Sequence, residues 1–121
     1  MQAHLLVVDD HPLLRDALRL TLEAEGYRVS TASDGFAALA AVAAERPDIV
    51  LTDIQMPGMD GWELRRHLLA TAPSLPVMVM SSDPGIVPLA PMHRADACMV
   101  KPFDIDDLLC VIERLTRAAA A

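Results

Sequence analysis

Five short apolar runs recur along the chain, and stretches with helical spacing separate them. The runs are HLLVV (4–8), YRVST (27–31), DIVLT (48–52), PVMVM (76–80) and ACMV (97–100). Four of them are continuous rather than alternating, which is typical of parallel strands covered on both faces. YRVST mixes polar and apolar positions, so we expect it to lie at an edge of the sheet.

Apolar residues at helical spacing form stripes between the runs. Gly26 follows the first stripe and Pro47 the second, as residues that end helices do. Asp34, Asp60 and Asp104 precede the later stripes as candidate caps. The predicted stripes are Leu14, Ala17, Leu18, Thr21 and Leu22; Phe36, Leu39, Ala40 and Ala43; Leu64, Leu68 and Leu69; and Ile105, Leu108, Leu109, Ile112 and Leu115.

The interval between the fourth and fifth runs interrupts this alternation because it contains three prolines. Pro84 fits the first position of a helix behind Asp83. Pro88 and Pro91 would each remove an interior hydrogen bond of a continuous helix, at a cost of about 3 kcal/mol. We therefore predict an irregular or shortened fourth helix. The whole pattern predicts a three-layer α/β domain with a parallel sheet and right-handed crossovers.

Length and charge limit the range of functions. A chain of 121 residues with 53% apolar and 22% charged residues is sized for one globular domain, residues 1–121. The formal net charge of −7 opposes direct binding to nucleic acid, whose phosphates are held by clustered Lys and Arg. The only basic cluster, RRH (65–67), is explained by one exposed turn of helix.

Neither membrane insertion nor cysteine chemistry is expected. The longest uncharged apolar run, FAALAAVAA, is far shorter than the roughly 20 residues that a membrane span needs. The N-terminus lacks a signal-type segment, and we expect a cytoplasmic protein. Cys98 and Cys110 form no CxxC pair and lie among apolar residues, so we expect small buried hydrophobes rather than disulfide partners or metal ligands.

Polar residues follow four of the five predicted strands at the point where each strand ends. In an open parallel sheet, ligands bind in the crevice beyond these carboxyl ends. A single aspartate at such a position is often only a cap or a turn former, and a single serine or lysine is weaker evidence still. The joint placement at four strand ends favours a site. Its candidate residues are Asp9 and Asp10, then Asp53, Ser81 and Lys101.

The chemistry of this set is that of a phosphate site. Three neighbouring carboxylates repel one another unless a positive charge lies among them. Mg²⁺ prefers oxygen ligands and is commonly held by one or two carboxylates. Lys101 adds a point charge for a carboxylate or phosphate, and the Ser81 hydroxyl can donate to a phosphate oxygen. The set fits phosphoryl transfer to a carboxylate.

The sequence resembles the receiver (REC) domain of bacterial two-component response regulators over essentially its whole length. The matching segments are LLVVDDHP, DIVLTDIQMPGMDGWEL, PVMVMS and VKPF, in that order. The resemblance implies a flavodoxin-like, doubly wound sheet with strand order 2-1-3-4-5. It also implies that Asp53 is the phosphoacceptor of a phosphorelay, taking a phosphoryl group from a histidine kinase, a histidine phosphotransfer protein or a small phosphodonor.

The resemblance further implies a magnesium site. Asp10 and Asp53 would bind Mg²⁺ directly, and Asp9 would act through water. The backbone carbonyl of Gln55 would complete the protein ligands.

The same resemblance assigns roles around the phosphoryl group. Lys101, followed by a cis bond to Pro102, would pair with the phosphate, and Ser81 would close onto it as the switch hydroxyl. Gln55 and Asp83 occupy positions that tune phosphate lifetime in this family. The domain would then be a switch and no turnover enzyme, with at most slow self-catalysed phosphorylation and dephosphorylation.

Residues 83–98 depart from the family pattern. Cys98 stands three residues before Lys101, where the family usually has an aromatic ring that moves as the hydroxyl engages phosphate. We therefore predict an altered output face that signals by loop rearrangement. Residues 83–95 would form a mobile loop that docks a partner protein or a C-terminal output domain, or their apolar residues would simply cover the sheet. The residues in question are Ile86, Val87, Leu89 and Met92.

Three other functions compete with the phosphoacceptor switch. The chain could be a receiver-like interaction module that works without phosphorylation. A phosphatase of the haloacid dehalogenase type would need a DxD pair after its first strand, whereas VVDDHPL has adjacent acids. A nucleotide-binding flavodoxin-like module would need a GxGxxG or P-loop segment behind that strand, and none is present.

Overall fold

The computed structural model describes residues 2–120, and residues 118–120 by their backbone only. Met1 and Ala121, the ends of the predicted domain, lie outside the described residues. Five parallel strands form one sheet in the order β2-β1-β3-β4-β5, which confirms the predicted topology and the edge position of the second strand. The strands are β1 His4–Val8, β2 Arg28–Ala32, β3 Ile49–Asp53, β4 Val77–Ser81 and β5 Ala97–Val100.

Five helices cover the two faces of the sheet and complete the predicted three layers. They are α1 Pro12–Ala24, α2 Gly35–Ala44, α3 Gly61–Thr71, α4 Leu89–Met92 and α5 Ile105–Ala120. Successive strand residues point to opposite faces, so each strand contributes to two cores. Helices α2, α3 and α4 pack on the face that includes Leu6, Val8, Val50, Val77 and Val79. Helices α1 and α5 pack on the face that includes Leu5, Val7, Ile49, Leu51, Met78 and Met80.

The predicted helix caps are confirmed at α2 and α3. Asp34 Oδ1 accepts a hydrogen bond from Ala37 N at 2.7 Å, and Asp60 Oδ1 accepts one from Glu63 N at 2.8 Å. Each cap satisfies one backbone donor that the first turn of a helix leaves free. Gly26 follows α1 with φ of +95°, a conformation in which glycine has no steric cost.

The predicted apolar stripe of α2 is wrong. Phe36 is 62% exposed, and Ala38 is the helix's fully buried side chain. The segment GFAALAAVAA is apolar on every side, so its periodicity does not identify the face that packs on the sheet. The stripe of α1 is only partly buried, since Leu22 is fully covered while Leu14 is 51% exposed.

The two cysteines differ in environment. Cys98 is half-buried against the face that α2, α3 and α4 cover. Cys110 is exposed on α5, so the prediction that it is a buried hydrophobe is wrong. Within residues 2–120, no helix combines the length and the apolar character that a membrane crossing requires.

The shortened fourth helix is confirmed. A 3-10 turn at Pro84–Ile86 precedes α4, which is a single turn at Leu89–Met92. Pro84 is the first residue of the 3-10 turn, and Pro91 lies in the first turn of α4, where a backbone N–H would have no intrahelical partner. The prolines therefore divide this stretch into short turns without breaking hydrogen bonds inside either one.

Three of the four apolar side chains of this stretch are accessible. Val87, Leu89 and Met92 are 51%, 38% and 75% exposed. Ile86 is 4% exposed in the core, so the prediction that it is available to a partner is wrong. Its position in the 3-10 turn directs it onto the sheet.

Arg65 of α3 connects three parts of the chain from a buried position. Its side chain is 4% exposed, which contradicts the interpretation of RRH as a wholly exposed turn. Nε donates to Arg94 O at 2.8 Å, and Nη1 donates to Leu75 O at 3.1 Å. Nη2 lies 3.1 Å from Asp96 Oδ2, which also accepts from Val77 N at 2.8 Å. Arg65 thereby holds the segment between α4 and β5 against α3 and β4.

Trp62, in the first turn of α3, also contacts the segment between α4 and β5. Its ring stacks on the His93 ring with centroids 4.4 Å apart and an angle of 17° between planes. His93 directly follows α4, so the stack and Arg65 both attach the end of that helix to α3.

We expect Arg65→Ala to lower the free energy of unfolding by about 2–3 kcal/mol, because the buried Leu75 carbonyl, the Arg94 carbonyl and Asp96 lose their partner. Arg66→Ala is a matched control on the same helix. Arg66 is exposed, so its loss should cost less than about 0.5 kcal/mol. Urea unfolding of both variants measures the difference. Equal losses would contradict the structural role of Arg65.

Candidate functional site

Three carboxylates meet at the carboxyl edge of the sheet. Asp9 and Asp10 follow β1, and Asp53 is the last residue of the neighbouring strand β3. One carboxylate oxygen from each residue lies within 4.8 Å of the other two. Because the strands are parallel and in register, residues distant in sequence reach the same edge. A set of hard oxygen donors at this spacing fits a small divalent cation such as Mg²⁺.

Lys101 supplies a positive charge between two of these carboxylates. Its Nζ lies 3.4 Å from Asp53 Oδ1 and 3.6 Å from Asp9 Oδ2. The Lys101 backbone N donates to Ser81 O at 2.8 Å, which aligns the end of β5 with β4. The Lys101–Pro102 bond is cis, as the resemblance implies.

Two hydrogen bonds fix Asp9, whereas Asp10 is exposed. Asp9 is 3% exposed, and its Oδ1 accepts from His11 N at 2.9 Å. Its own carbonyl accepts from Arg15 Nη1 at 2.8 Å. The contact from Arg15 was not predicted, because no sequence signal connects a residue on the first turns of α1 with the carbonyl of Asp9.

The pKa of the Asp53 carboxyl is raised above its ordinary value, first because burial disfavours its charged form. The negative charge of Asp9 adds to this effect, while the Lys101 ammonium opposes it through charge and a hydrogen bond. Asp53 is therefore a carboxylate whose charged form is disfavoured by partial burial and stabilised by the neighbouring Lys101 ammonium.

The loop after Asp53 folds closely against the strand end. Gly61 N donates to Ile54 O at 2.8 Å, and a Cβ at position 61 would lie 2.6 Å from Asp53 O. Only glycine fits there without moving the backbone of Asp53. Gln55 is exposed at the start of this loop, two residues beyond Asp53.

Ser81 belongs to the same edge but does not contact the charged side chains. It is 3% exposed at the end of β4, and its Oγ accepts from Asp83 N at 3.1 Å. Within the part of the chain whose side chains are described, its Oγ has no hydrogen bond to Asp53 or Lys101. The structure thus brings together Asp9, Asp10, Asp53 and Lys101, with Ser81 beside them.

Comparison with known proteins identifies a family that matches most of the chain. The chain matches the family model described as the response regulator receiver domain over residues 5–113. It is 38% identical over 119 residues to the response regulator MprA of Mycolicibacterium vanbaalenii, an alignment that covers 97% of this chain and 52% of that protein. The MprA of Mycobacterium tuberculosis is 37% identical with the same coverage. The chain thus spans about half the length of these relatives.

Solved structures agree with this match. TrrA of Thermotoga maritima in complex with Mg²⁺ and BeF superimposes with a TM-score of 0.87 at 30% identity, over 95% of this chain and 99% of that one. NtrX of Brucella abortus in complex with ATP superimposes with a TM-score of 0.92 at 35% identity, over 99% of this chain and 28% of that one.

We expect Asp53→Asn to raise the free energy of unfolding at neutral pH when a chelator removes divalent cations. The folded pKa of Asp53 lies above its unfolded value, so charged Asp53 costs native stability above that pKa. The advantage of the variant should shrink as the pH falls through the raised pKa and wild-type Asp53 takes up a proton.

Urea unfolding over this pH range checks the expectation. Asp16→Asn is the control, because the Asp16 side chain is 61% exposed and its loss should change stability by less than about 0.5 kcal/mol. An Asp53→Asn protein no more stable than wild type at neutral pH would contradict the raised pKa.

Proposed function

The chain belongs to the response regulator receiver domain family, and we propose that it is a signalling switch whose Asp53 accepts a phosphoryl group in a Mg²⁺-dependent phosphorelay. The observation that carries the proposal is the placement of Asp53 at the carboxyl edge, 3.4 Å from the Lys101 ammonium and grouped with Asp9 and Asp10. Such a domain is a phosphoacceptor and no classical enzyme.

In this proposal the carboxylates would hold Mg²⁺. Asp10 and Asp53 would bind it directly, Asp9 would act through water, and the carbonyl of Gln55 would complete the protein ligands. When bound, Mg²⁺ neutralises negative charge on the carboxylates and on the phosphoryl oxygens. Lys101 faces two of the three acids of this cluster, Asp9 and Asp53.

The transfer step needs positioning more than acid–base chemistry. A carboxylate oxygen of Asp53 bonds to phosphorus while the bond from phosphorus to the donor atom breaks. The donor leaves as a histidine imidazole or as the carboxylate of an acyl phosphate. The transferring group is loosely bound in the transition state and spreads its charge over its oxygens. Lys101 pairs with one of these oxygens, and the Ser81 hydroxyl donates to another.

We further propose that the resulting aspartyl phosphate is lost slowly by self-catalysed hydrolysis. Asp53 lies in a partly desolvated place, where the Lys101 side chain supplies a charge and a hydrogen bond. The lifetime of the aspartyl phosphate would then limit the duration of the signal.

The proposed partners are a histidine kinase or a histidine phosphotransfer protein on the input side. On the output side, residues 83–98 would contact a C-terminal output domain or a separate protein. Val87, Leu89 and Met92 are the exposed apolar residues of this face. The longer length of the relatives is compatible with an output domain in the parent proteins.

Incubation with Mg²⁺ and a small acyl phosphate should add one phosphoryl group to the wild-type protein. Asp53→Asn should remove the adduct, because the amide cannot act as the nucleophile. Asp16→Asn should retain it, since that side chain is exposed on α1. Intact-mass spectrometry reads all three. No adduct on wild type, or an equal adduct on Asp53→Asn, would refute the switch and favour a module that works without phosphorylation.

The metal ligands can be tested without phosphorylation. We expect Asp10→Asn to weaken Mg²⁺ binding about tenfold or more, because a direct carboxylate ligand is lost. Titration calorimetry compares it with wild type and with Asp16→Asn, which should bind normally. Equal affinities of Asp10→Asn and wild type would remove Asp10 from the proposed ligand set.

A further inference from the structure

The Ser81 hydroxyl is held by one neighbouring backbone group. Its Oγ accepts a hydrogen bond from Asp83 N at 3.1 Å. A hydroxyl has one proton to donate and two lone pairs to accept with. Because the contact with Asp83 uses a lone pair, the proton of Ser81 stays available for another acceptor. Among the residues with described side chains, Oγ has no second hydrogen bond.

Asp83 begins a short turn, and its own side chain caps that turn. Its Oδ1 accepts from Gly85 N at 2.8 Å, and its carbonyl accepts from Ile86 N at 3.3 Å. This pattern is that of an aspartate that caps a short turn and fixes its own backbone. Asp83 has φ of −94° and ψ of 113°, the extended conformation of a cap.

The turn is anchored at its other end and is closely fitted. Ile86 is 4% exposed in the core, and Pro84 has a fixed φ. A Cβ at Gly85 would lie 3.1 Å from Asp83 Oδ1, which is tighter than ordinary contact. Pro84 O also accepts from Val87 N at 3.2 Å. The hydrogen bond to Ser81 is therefore one end of an ordered turn.

We propose that Asp83 is a positioning residue for Ser81: its carboxylate caps the turn at residues 84–86, and the cap holds the Asp83 N–H on Ser81 Oγ, so that the Ser81 proton is kept for a phosphoryl oxygen. This inference rests on the proposed role of Asp53. It differs from the lifetime-tuning role that the resemblance implies, because the carboxylate acts through geometry and its charge is secondary.

Two substitutions separate geometry from charge. Asparagine caps turns as well as aspartate does, but it carries no charge. Alanine neither caps a turn nor carries a charge. We expect Asp83→Asn to keep the wild-type rate of phosphorylation by an acyl phosphate and the wild-type protection of the residue-83 amide in hydrogen exchange. Asp83→Ala should slow phosphorylation about fivefold and speed amide exchange by a similar factor.

A double-mutant cycle with Ser81→Ala gives the decisive comparison. If Asp83 acts through the hydroxyl, Asp83→Ala should slow wild type but should not slow the Ser81→Ala protein further. Ser81→Ala alone should also speed exchange of the Asp83 amide, because its acceptor is gone.

The contrary outcomes are distinct. Equal defects in Asp83→Asn and Asp83→Ala would overturn positioning in favour of charge. If Asp83→Ala slows phosphorylation equally in wild type and in the Ser81→Ala protein, the positioning role of Asp83 is overturned as well. No adduct on wild type would refute the phosphoacceptor function itself. The Ser81 hydroxyl would then have no phosphoryl oxygen to which it could donate. An adduct on wild type together with either of the first two outcomes would refute the role of Asp83 alone.

Discussion

The electrostatic arrangement at the carboxyl edge is the constraint on which the rest of this structure depends. Three acids are held close together, and among them Asp53 carries a raised pKa because it is partly buried. Lys101 lies within 3.6 Å of both Asp9 and Asp53 and offsets part of the repulsion. A flexible chain would relax such a cluster by moving the acids apart. Here β1 and β3 are adjacent central strands, buried on both faces, and they cannot separate without opening both cores.

Hydrogen bonds and close backbone packing around the cluster also hold two of the three acids, Asp9 and Asp53, in place. Asp9 is fixed through His11 N and Arg15, and the backbone at Asp53 is fixed by the close approach of Gly61. Each of these contacts has a backbone group on at least one side: His11 N donates to the Asp9 carboxylate, and the Asp9 carbonyl accepts from Arg15. The scaffold thereby maintains the spacing of the charged side chains.

The sequence predicted the sheet and the site because both depend on local and periodic signals. Continuous apolar runs identified the strands, and the polar residues that end them identified the edge where Asp53 and Lys101 meet. Phe36 was misplaced because α2 has no polar side from which its orientation could be inferred. Arg65 was missed because its partners are backbone carbonyls and Asp96, far along the chain, and a charged residue in a helix is usually exposed.

The stack of Trp62 on His93 has a practical consequence for the shortened helix beside it. Trp62 is the chain's single tryptophan, so the fluorescence of the protein comes chiefly from a ring in contact with the end of α4. A rearrangement of that segment would change the surroundings of the indole directly. The molecule thus contains its own optical label beside the segment whose sequence departs from the family pattern, and no dye needs to be attached to observe it.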